Sequence, residues 1–143
     1  MTLHPRRTSG STAMDDYLEQ ILHLIEAKGY ARAVDISKNL GISQASVTNM
    51  LQRLDAEGLV KHEKYRGTIL TEDGHRIAHA IIERHETLTR FLRLFDIDEE
   101  TIYRDVEGME HHVSRPTLDV IRAVADALEA DPELLEKVRK KSG

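Results

Sequence analysis

The chain of 143 residues contains no cysteine and no tryptophan, and it has only three prolines. Without cysteine it can form neither disulfide bonds nor thiolate metal sites, so carboxylate, imidazole and backbone oxygen remain as possible metal ligands. Aromatic residues make up 4% of the chain and hydrophobic residues 40%. The core must therefore consist mainly of Leu, Ile, Val and Ala, a composition that suits helices.

No apolar run approaches the ~20 residues that a membrane-spanning helix needs. Residues 1–13 contain basic side chains but no apolar stretch behind them, so they do not have the pattern of a secretory signal. We predict a disordered lead-in over residues 1–13, and a cytoplasmic protein that has no membrane partner.

The net charge of −5 is distributed unevenly along the chain. Residues 32–76 hold seven Lys and Arg against six Asp and Glu, whereas residues 95–136 hold three against thirteen. The first segment can approach the phosphates of a nucleic acid, and the second cannot. Because the acidic segment repels itself, a bound cation would relieve it.

A first helix is predicted from Met14 to Lys28. Its apolar residues lie on one face and are Tyr17, Leu18, Ile21, Leu24 and Ile25. Asp16, Glu19 and His23 fall together on the opposite face. Taken alone, these three residues are typical of a solvated polar stripe.

Two helices joined at Gly41 have the pattern of a helix-turn-helix. The first spans Val34–Leu40, and the second runs from Gln44 to Glu57 with Ser43 as its N-cap. Short uncharged side chains dominate the outer face of the second helix, and such groups can enter a major groove and bond to base edges. The predicted DNA-contacting residues on this helix are Gln44, Ala45, Ser46, Thr48, Asn49, Gln52 and Arg53.

A β-hairpin is predicted directly after this helix, with strands over Gly58–Tyr65 and Thr68–Leu70. A hairpin in this position is the wing of a winged helix-turn-helix. Lys64 and Arg66 lie at its tip, where they are expected to contact phosphates. We predict that residues 14–71 form the DNA-binding domain.

A long helix is predicted from Glu72 to Phe95, with Thr71 as its N-cap. His85 falls within the apolar stripe of this helix, where a histidine is more often a satisfied core residue than a ligand. His75 and His79 share a face four residues apart, but no acidic residue nearby completes a metal site, so we do not count them as ligands.

The next predicted helix starts at the N-cap Asp98 and reaches about Val113. Glu107, Glu110 and His111 lie in one band along the edge of its apolar stripe, and His112 points elsewhere. Two carboxylates and an imidazole at this spacing can converge on one ion. Placing them beside apolar residues would cost stability unless a cation neutralised them, so the pattern favours a metal site.

Two further helices complete the chain, one from Pro116 to about Glu129 and one after Asp131-Pro132. The apolar residues of the first of them lie on one face and are Leu118, Ile121, Ala125 and Leu128. This face is predicted to pack on another subunit or on the long helix.

Four short segments, together with the winged helix, resemble the diphtheria toxin repressor family of metal-dependent transcription repressors, and most closely its manganese-responsive branch. These segments are Asp16–Glu19, Glu63–Gly67, Arg84–Glu86 and Asp105–His112. The resemblance extends from about Met14 to the C-terminus. It implies a mainly α fold, with a winged helix-turn-helix DNA-binding domain followed by a C-terminal α-helical dimerisation domain over residues 72–143.

The resemblance also implies a ligand set for two metal ions per subunit. Asp16, Glu107, Glu110 and His111 are expected around one ion, while Glu19 and His85 join Glu107 and Glu110 around the second. The expected cofactor is Mn²⁺, and Fe²⁺, Co²⁺, Zn²⁺ or Cd²⁺ are also expected to bind.

The function implied by the resemblance is that of a homodimeric repressor activated by Mn²⁺. Such a protein binds double-stranded operator DNA when it carries metal and shuts down manganese uptake genes. It is not an enzyme and has no small-molecule substrate.

Three alternatives remain beside this function. One is an Fe²⁺-responsive repressor of the same family. Another is a helical di-metal carboxylate enzyme, but such enzymes use paired Glu-x-x-His motifs on core helices, and the single match here, Glu72–His75, stands at a helix start. A winged-helix regulator that senses an organic ligand would leave Glu107, Glu110 and His111 without a role.

Overall fold

In the computed structural model, the described residues are 11–65 and 67–143, and they form seven helices and one two-stranded sheet. In chain order, the elements are α1 Ser11–Lys28, α2 Ala33–Leu40, α3 Gln44–Ala56, β1 Val60–Glu63, β2 Gly67–Leu70, α4 Glu72–Arg93, α5 Glu99–Met109, α6 Arg115–Ala130 and α7 Pro132–Ser142. The mainly helical fold class is therefore confirmed.

The described residues divide into two compact units, and the boundary between Ala80 and Ile81 falls inside α4. Each unit has buried apolar residues of its own. Within the described part of the chain, no helix is both long and apolar enough to cross a lipid bilayer.

Helix α1 supplies much of the core of the first unit. Tyr17, Leu18 and Ile21 are buried, as the apolar stripe predicted. The helix begins at Ser11, three residues before the predicted start at Met14, so residues 11–13 of the predicted disordered lead-in are helical. No glycine or proline stands between these two positions to interrupt the helix. Residues 1–10 of that lead-in lie outside the described residues.

The helix-turn-helix forms as predicted. Gly41 ends α2 in the left-handed conformation, with φ 67° and ψ 33°, and its N–H donates to the carbonyl of Ser37. The Ser43 hydroxyl accepts a hydrogen bond of 3.1 Å from the Ser46 N–H and thereby caps α3. Val47 and Leu54 are buried, which fixes the face of α3 that turns outward.

The wing consists of β1 paired with β2 in antiparallel register, from Val60 opposite Leu70 to Glu63 opposite Gly67. Ala31 forms an isolated antiparallel bridge to β2, because its N–H and its carbonyl both bond to Thr68. Gly67 has φ +86°, and a Cβ there would lie 2.7 Å from the Ala31 oxygen. Only glycine therefore fits where the wing meets Ala31.

The second unit is built around a cluster of Leu88, Ile102, Val106 and Leu118. These residues come from α4, α5 and α6, so the three helices share one core. Leu118 of α6 thus lies in one cluster with Leu88 of α4. Of the two partners predicted for this face of α6, the long helix is confirmed.

Two helices of the second unit end earlier than predicted. Helix α5 ends at Met109 and not near Val113, because residues 110–112 form a turn in which the His112 N–H bonds only three residues back, to the Met109 carbonyl at 3.0 Å. Ser114 then caps α6. Helix α4 ends at Arg93 and not at Phe95, since Leu94 and Phe95 bond three residues back and Asp96 has φ 58°.

The base of the wing is pressed against the start of α4 at Gly74. A Cβ at this position would collide with the carbonyl oxygen of Leu59 and would lie 3.2 Å from the Leu70 side chain. We expect Gly74→Ala to lower the free energy of unfolding by about 1–3 kcal/mol, because overpacking outweighs the gain in helix propensity. Urea unfolding of the metal-free protein measures this change.

Gly108 provides the matched control, because it is also helical but has no atom within 4 Å of an added Cβ. Gly108→Ala should raise the free energy of unfolding by about 0.5–1 kcal/mol. Equal effects of the two substitutions would contradict the close contact at Gly74.

Candidate metal centre and DNA-facing surface

Three predicted metal ligands come together in the second unit. His85 extends from α4, Glu107 stands in the last turn of α5, and Glu110 is the C-cap of α5. One ligand atom from each of the three lies within 4.8 Å of the other two. Within this cluster, His85 Nδ1 lies 2.7 Å from Glu110 Oε2.

The Glu110 carboxylate is the most buried of these groups, with a relative exposure of 2%. His85 faces one of its oxygens, and His111 Nε2 lies 3.5 Å from the other. A carboxylate taken out of water must be compensated by partners that favour its charge. The two imidazoles supply part of that compensation, and a cation at the same place would supply more.

The donors of this cluster fit a divalent ion of the first transition row, because they combine carboxylate oxygen with imidazole nitrogen. The early end of α5 changes how His111 reaches the site. His111 stands in the turn after the helix and not on a helical face. From this turn, its Nε2 nevertheless lies 3.5 Å from Glu110 Oε1.

Asp16 and Glu19 lie in the first unit, three residues apart on α1, and both are half-buried. Glu19 Oε1 lies 3.6 Å from His23 Nε2. The share of Asp16 and Glu19 in metal binding stays a prediction. His112 is exposed, and its exclusion from the ligands likewise stays a prediction.

His75 and His79 are stacked on α4, with ring centroids 5.9 Å apart and an interplanar angle of 19°. They belong to no group of three or more possible ligands among the described residues. Their exclusion from the metal ligands stays a prediction.

Glu83, two residues before His85, makes contacts that no sequence pattern had indicated. It accepts hydrogen bonds from Arg115, the first residue of α6, and from Arg122 in the middle of that helix. The hydrogen bond from Arg115 lowers the pKa of Glu83 below its ordinary value. These partners are 32 and 39 residues away along the chain, and no periodicity connects residues so far apart.

The predicted DNA-contacting residues of α3 all lie on its exposed side: Gln44, Ala45, Ser46, Thr48, Asn49, Gln52 and Arg53. Lys64 is exposed at the wing, 5.5 Å from the centre of the Tyr65 ring. Arg66 lies outside the described residues. Their contacts with DNA stay predictions.

A groove of about 520 Å³ separates α3 from the wing. Its walls include Thr48 and Gln52 of α3 and Tyr65 of the wing. Arg32 also lines it and stacks 4.7 Å above the Tyr30 ring. No sequence pattern marks Arg32, since an isolated arginine in a connecting segment carries none.

A winged helix-turn-helix joined to a helical unit with a carboxylate–imidazole cluster defines a metal-dependent DNA-binding regulator. Two family models match the chain in the same order. The model described as "Iron dependent repressor, N-terminal DNA binding domain" matches residues 11–68, and "Iron dependent repressor, metal binding and dimerisation domain" matches residues 71–138. The chain belongs to the iron-dependent repressor family, which confirms the predicted resemblance.

Individual relatives agree with this assignment. The chain is 47% identical over 127 residues to the HTH-type transcriptional regulator MntR of Geobacillus kaustophilus, covering 89% of this chain and 90% of that protein. It is 45% identical over 133 residues to the regulator of the same name from Bacillus subtilis, covering 91% and 94%. The structure of the manganese regulator SloR matches 79% of the chain with a TM-score of 0.71 and 25% identity, and the match spans about half, 53%, of that longer chain.

The cluster predicts a selective effect of Glu107→Ala on metal binding. Removing one of three converging ligands should weaken Mn²⁺ binding by at least about tenfold. Isothermal titration calorimetry of metal-stripped protein measures the affinity. His112→Ala is the control, because it removes an exposed imidazole five residues away, and its Mn²⁺ affinity should match that of the wild type. Unchanged affinity in Glu107→Ala would mean that the site is misassigned.

Proposed function

We propose that this protein is a transcriptional repressor that binds operator DNA when manganese occupies its metal centre. The observation that carries the proposal is the cluster of His85, Glu107 and Glu110, in a chain whose first unit is a winged helix-turn-helix. The MntR relatives are 44–47% identical to it and match it over most of their length. Residues 14–71 act as the DNA-binding domain and residues 72–143 as the metal-binding and dimerisation domain.

The metal centre holds two ions in this proposal. Asp16, Glu107, Glu110 and His111 bind one ion, and Glu19, His85, Glu107 and Glu110 bind the other. Mn²⁺ binds most weakly among the first-row divalent ions, so selectivity has to come from geometry and ion number. Zn²⁺ and Co²⁺ therefore bind as well but activate less, and Cd²⁺ also binds.

Metal acts by coupling ligands that belong to the two units. Without an ion, the clustered carboxylates repel one another, and the DNA-binding domain has no fixed orientation. Two bound cations join α1 to the ligands of the second unit. In a dimer they thereby set the distance between the two copies of α3, so that it matches operator half-sites ~34 Å apart. A hundredfold gain in DNA affinity requires a coupling of only about 2.7 kcal/mol.

DNA is read by the exposed side of α3, while Lys64 and Arg66 of the wing contact phosphates. The protein acts in the cytoplasm and represses manganese uptake genes when the ion is plentiful. The protein acts as a regulator and not as an enzyme, and it has no small-molecule substrate and no membrane partner.

An Fe²⁺-responsive repressor is the second candidate. The observation in its favour is that both family models are described as iron dependent. Imidazole and carboxylate donors accept Fe²⁺ as well as Mn²⁺, so the ligand chemistry is common to both candidates. The response of DNA binding to each metal separates them.

The homodimer is proposed to form through α6. The face opposite its buried side carries an exposed apolar stripe in which Val120 is 63% and Val124 is 42% exposed. Ala123 and Ala127 lie on the same face and are also exposed. Apolar residues repeated along an exposed helix face are suited to an interface with a second copy, where they lose contact with water.

We expect DNA binding to require metal. Fluorescence anisotropy of a labelled promoter from a manganese-transporter gene should show tight binding with Mn²⁺ that a chelator reverses. Parallel titrations with anaerobic Fe²⁺ and with Zn²⁺ rank the metals. Asn49→Ala should weaken binding by about 1–3 kcal/mol, because it removes a group that bonds to base edges, and it should leave metal affinity unchanged. Binding that ignores both metal and chelator would refute the metal switch.

Disruption of the α6 stripe should separate the subunits. Placing charge in it with the pair Val120→Asp and Val124→Asp should convert a dimer into a monomer of 16.3 kDa, because a buried unpaired carboxylate is costly. Sedimentation equilibrium measures the mass. Val34→Asp is the matched control, since Val34 is 51% exposed in the first unit and lies outside the stripe. A dimer that survives the double substitution would place the interface elsewhere.

A further inference from the structure

Glu83 ties α4 to the first two turns of α6. Its Oε2 accepts a hydrogen bond from Arg115 Nη1 at 2.9 Å, and its Oε1 accepts one from Arg122 Nη2 at 2.6 Å. The same Arg122 nitrogen donates to the Thr87 hydroxyl at 3.3 Å. Both arginines also contact Asp119 of α6 itself, at 3.2 and 3.5 Å. Their contacts with α4 fall on residues 83–87, the segment that carries His85.

His85 connects this segment to the metal centre. At 100° per residue, its side chain is rotated about 200° from that of Glu83, so the two leave α4 in different directions. His85 Nδ1 meets Glu110 Oε2 at 2.7 Å. One short segment of α4 is therefore held by Glu110 in one direction and by the arginines of α6 in another.

Chain connectivity makes these two attachments depend on each other. Glu110 and Arg115 are separated by only four residues, the turn 111–114. The Glu83–Arg115 contact therefore limits where this turn can place Glu110 relative to His85. The paired contacts of Glu83 also restrict rotation of α4 about its own axis, and this rotation would turn His85 away from Glu110.

We propose that Glu83, together with Arg115 and Arg122, is a positioning clamp that holds His85 and Glu110 at ligand spacing before an ion binds. The inference rests on the proposed function, because it presupposes that the cluster binds metal. Groups that orient metal ligands without touching the ion commonly alter affinity by about 10–100-fold. Glu83 acts through the helix and not through a direct bond to a ligand, so its effect should lie at or below the lower end of that range.

Arg90 offers a matched control on the same pair of helices. Its Nη2 bonds to Asp126 Oδ1 at 2.6 Å, and Glu129 accepts two further hydrogen bonds of 2.9 Å from its guanidinium. Arg90 therefore joins α4 to α6 just as Glu83 does, but it stands five residues beyond His85 and at the far end of α6 from the Glu110 turn. Loss of this pair should loosen α4 against α6 without changing the ligand spacing.

The test compares Mn²⁺ affinity in the full-length wild type, Glu83→Gln, Arg122→Gln and Arg90→Gln. Electron paramagnetic resonance of free Mn²⁺ gives the affinity, and thermal unfolding of the metal-free proteins gives the stability. We expect Glu83→Gln and Arg122→Gln to weaken binding by about three- to tenfold. The Mn²⁺ affinity of Arg90→Gln should stay within about twofold of that of the wild type. This holds even if its melting temperature falls as much as those of the other two variants. If Glu83→Gln fails to fold, Arg122→Gln decides the question.

Two outcomes would overturn the clamp while leaving the proposed function intact. One is wild-type affinity in the Glu83 and Arg122 variants. The other is an equal loss in all three variants, which would reflect stability alone. A wild-type protein that binds no Mn²⁺ would instead overturn the proposed function and the clamp together.

Discussion

The architecture of the second unit has to accommodate a Glu110 carboxylate that is removed from water. With a relative exposure of 2%, this group requires polar partners that compensate for its burial. His85 has to arrive from α4 and His111 from the turn after α5. The apolar cluster of Leu88 and Val106 holds these helices together, so packing and ligand placement are parts of one arrangement.

The arginines of the acidic region are used in a way that preserves its excess of negative charge near the metal centre. Residues 95–136 contain three basic residues, and two of them, Arg115 and Arg122, bind Glu83 of α4. Those two guanidinium groups are therefore engaged away from Glu107 and Glu110. A cation that reaches the cluster meets carboxylates and imidazoles, the donors that a first-row divalent ion requires.

Local patterns predicted most of the fold because several helices carry start signals of their own. Ser43, Asp98, Ser114 and Asp131 all cap helices with their side chains, and Gly41 takes the left-handed conformation that its turn requires. The end of α5 was missed because nothing in residues 110–113 forbids a helix. The chain turns there through hydrogen bonds to a single carbonyl, that of Met109, which the sequence does not reveal.

The candidate site was predictable where its residues are close in sequence and obscure where they are not. Glu107, Glu110 and His111 stood out as a short run, whereas His85 alone looked like a core histidine and entered through the family resemblance. Glu83 gave no signal, because its partners lie more than thirty residues away. Contacts between distant segments are set by tertiary packing, and residue spacing does not encode them.

The absence of thiolates from the carboxylate–imidazole cluster determines what competes with the ion. Oxidants convert cysteine ligands into forms that no longer bind metal, but carboxylates and imidazoles do not follow that chemistry. Imidazole must give up its proton before it binds a cation, so metal affinity falls as the medium becomes acidic. A regulator of the proposed kind therefore measures metal availability against proton activity, and it has no cysteine ligand through which an oxidant could act.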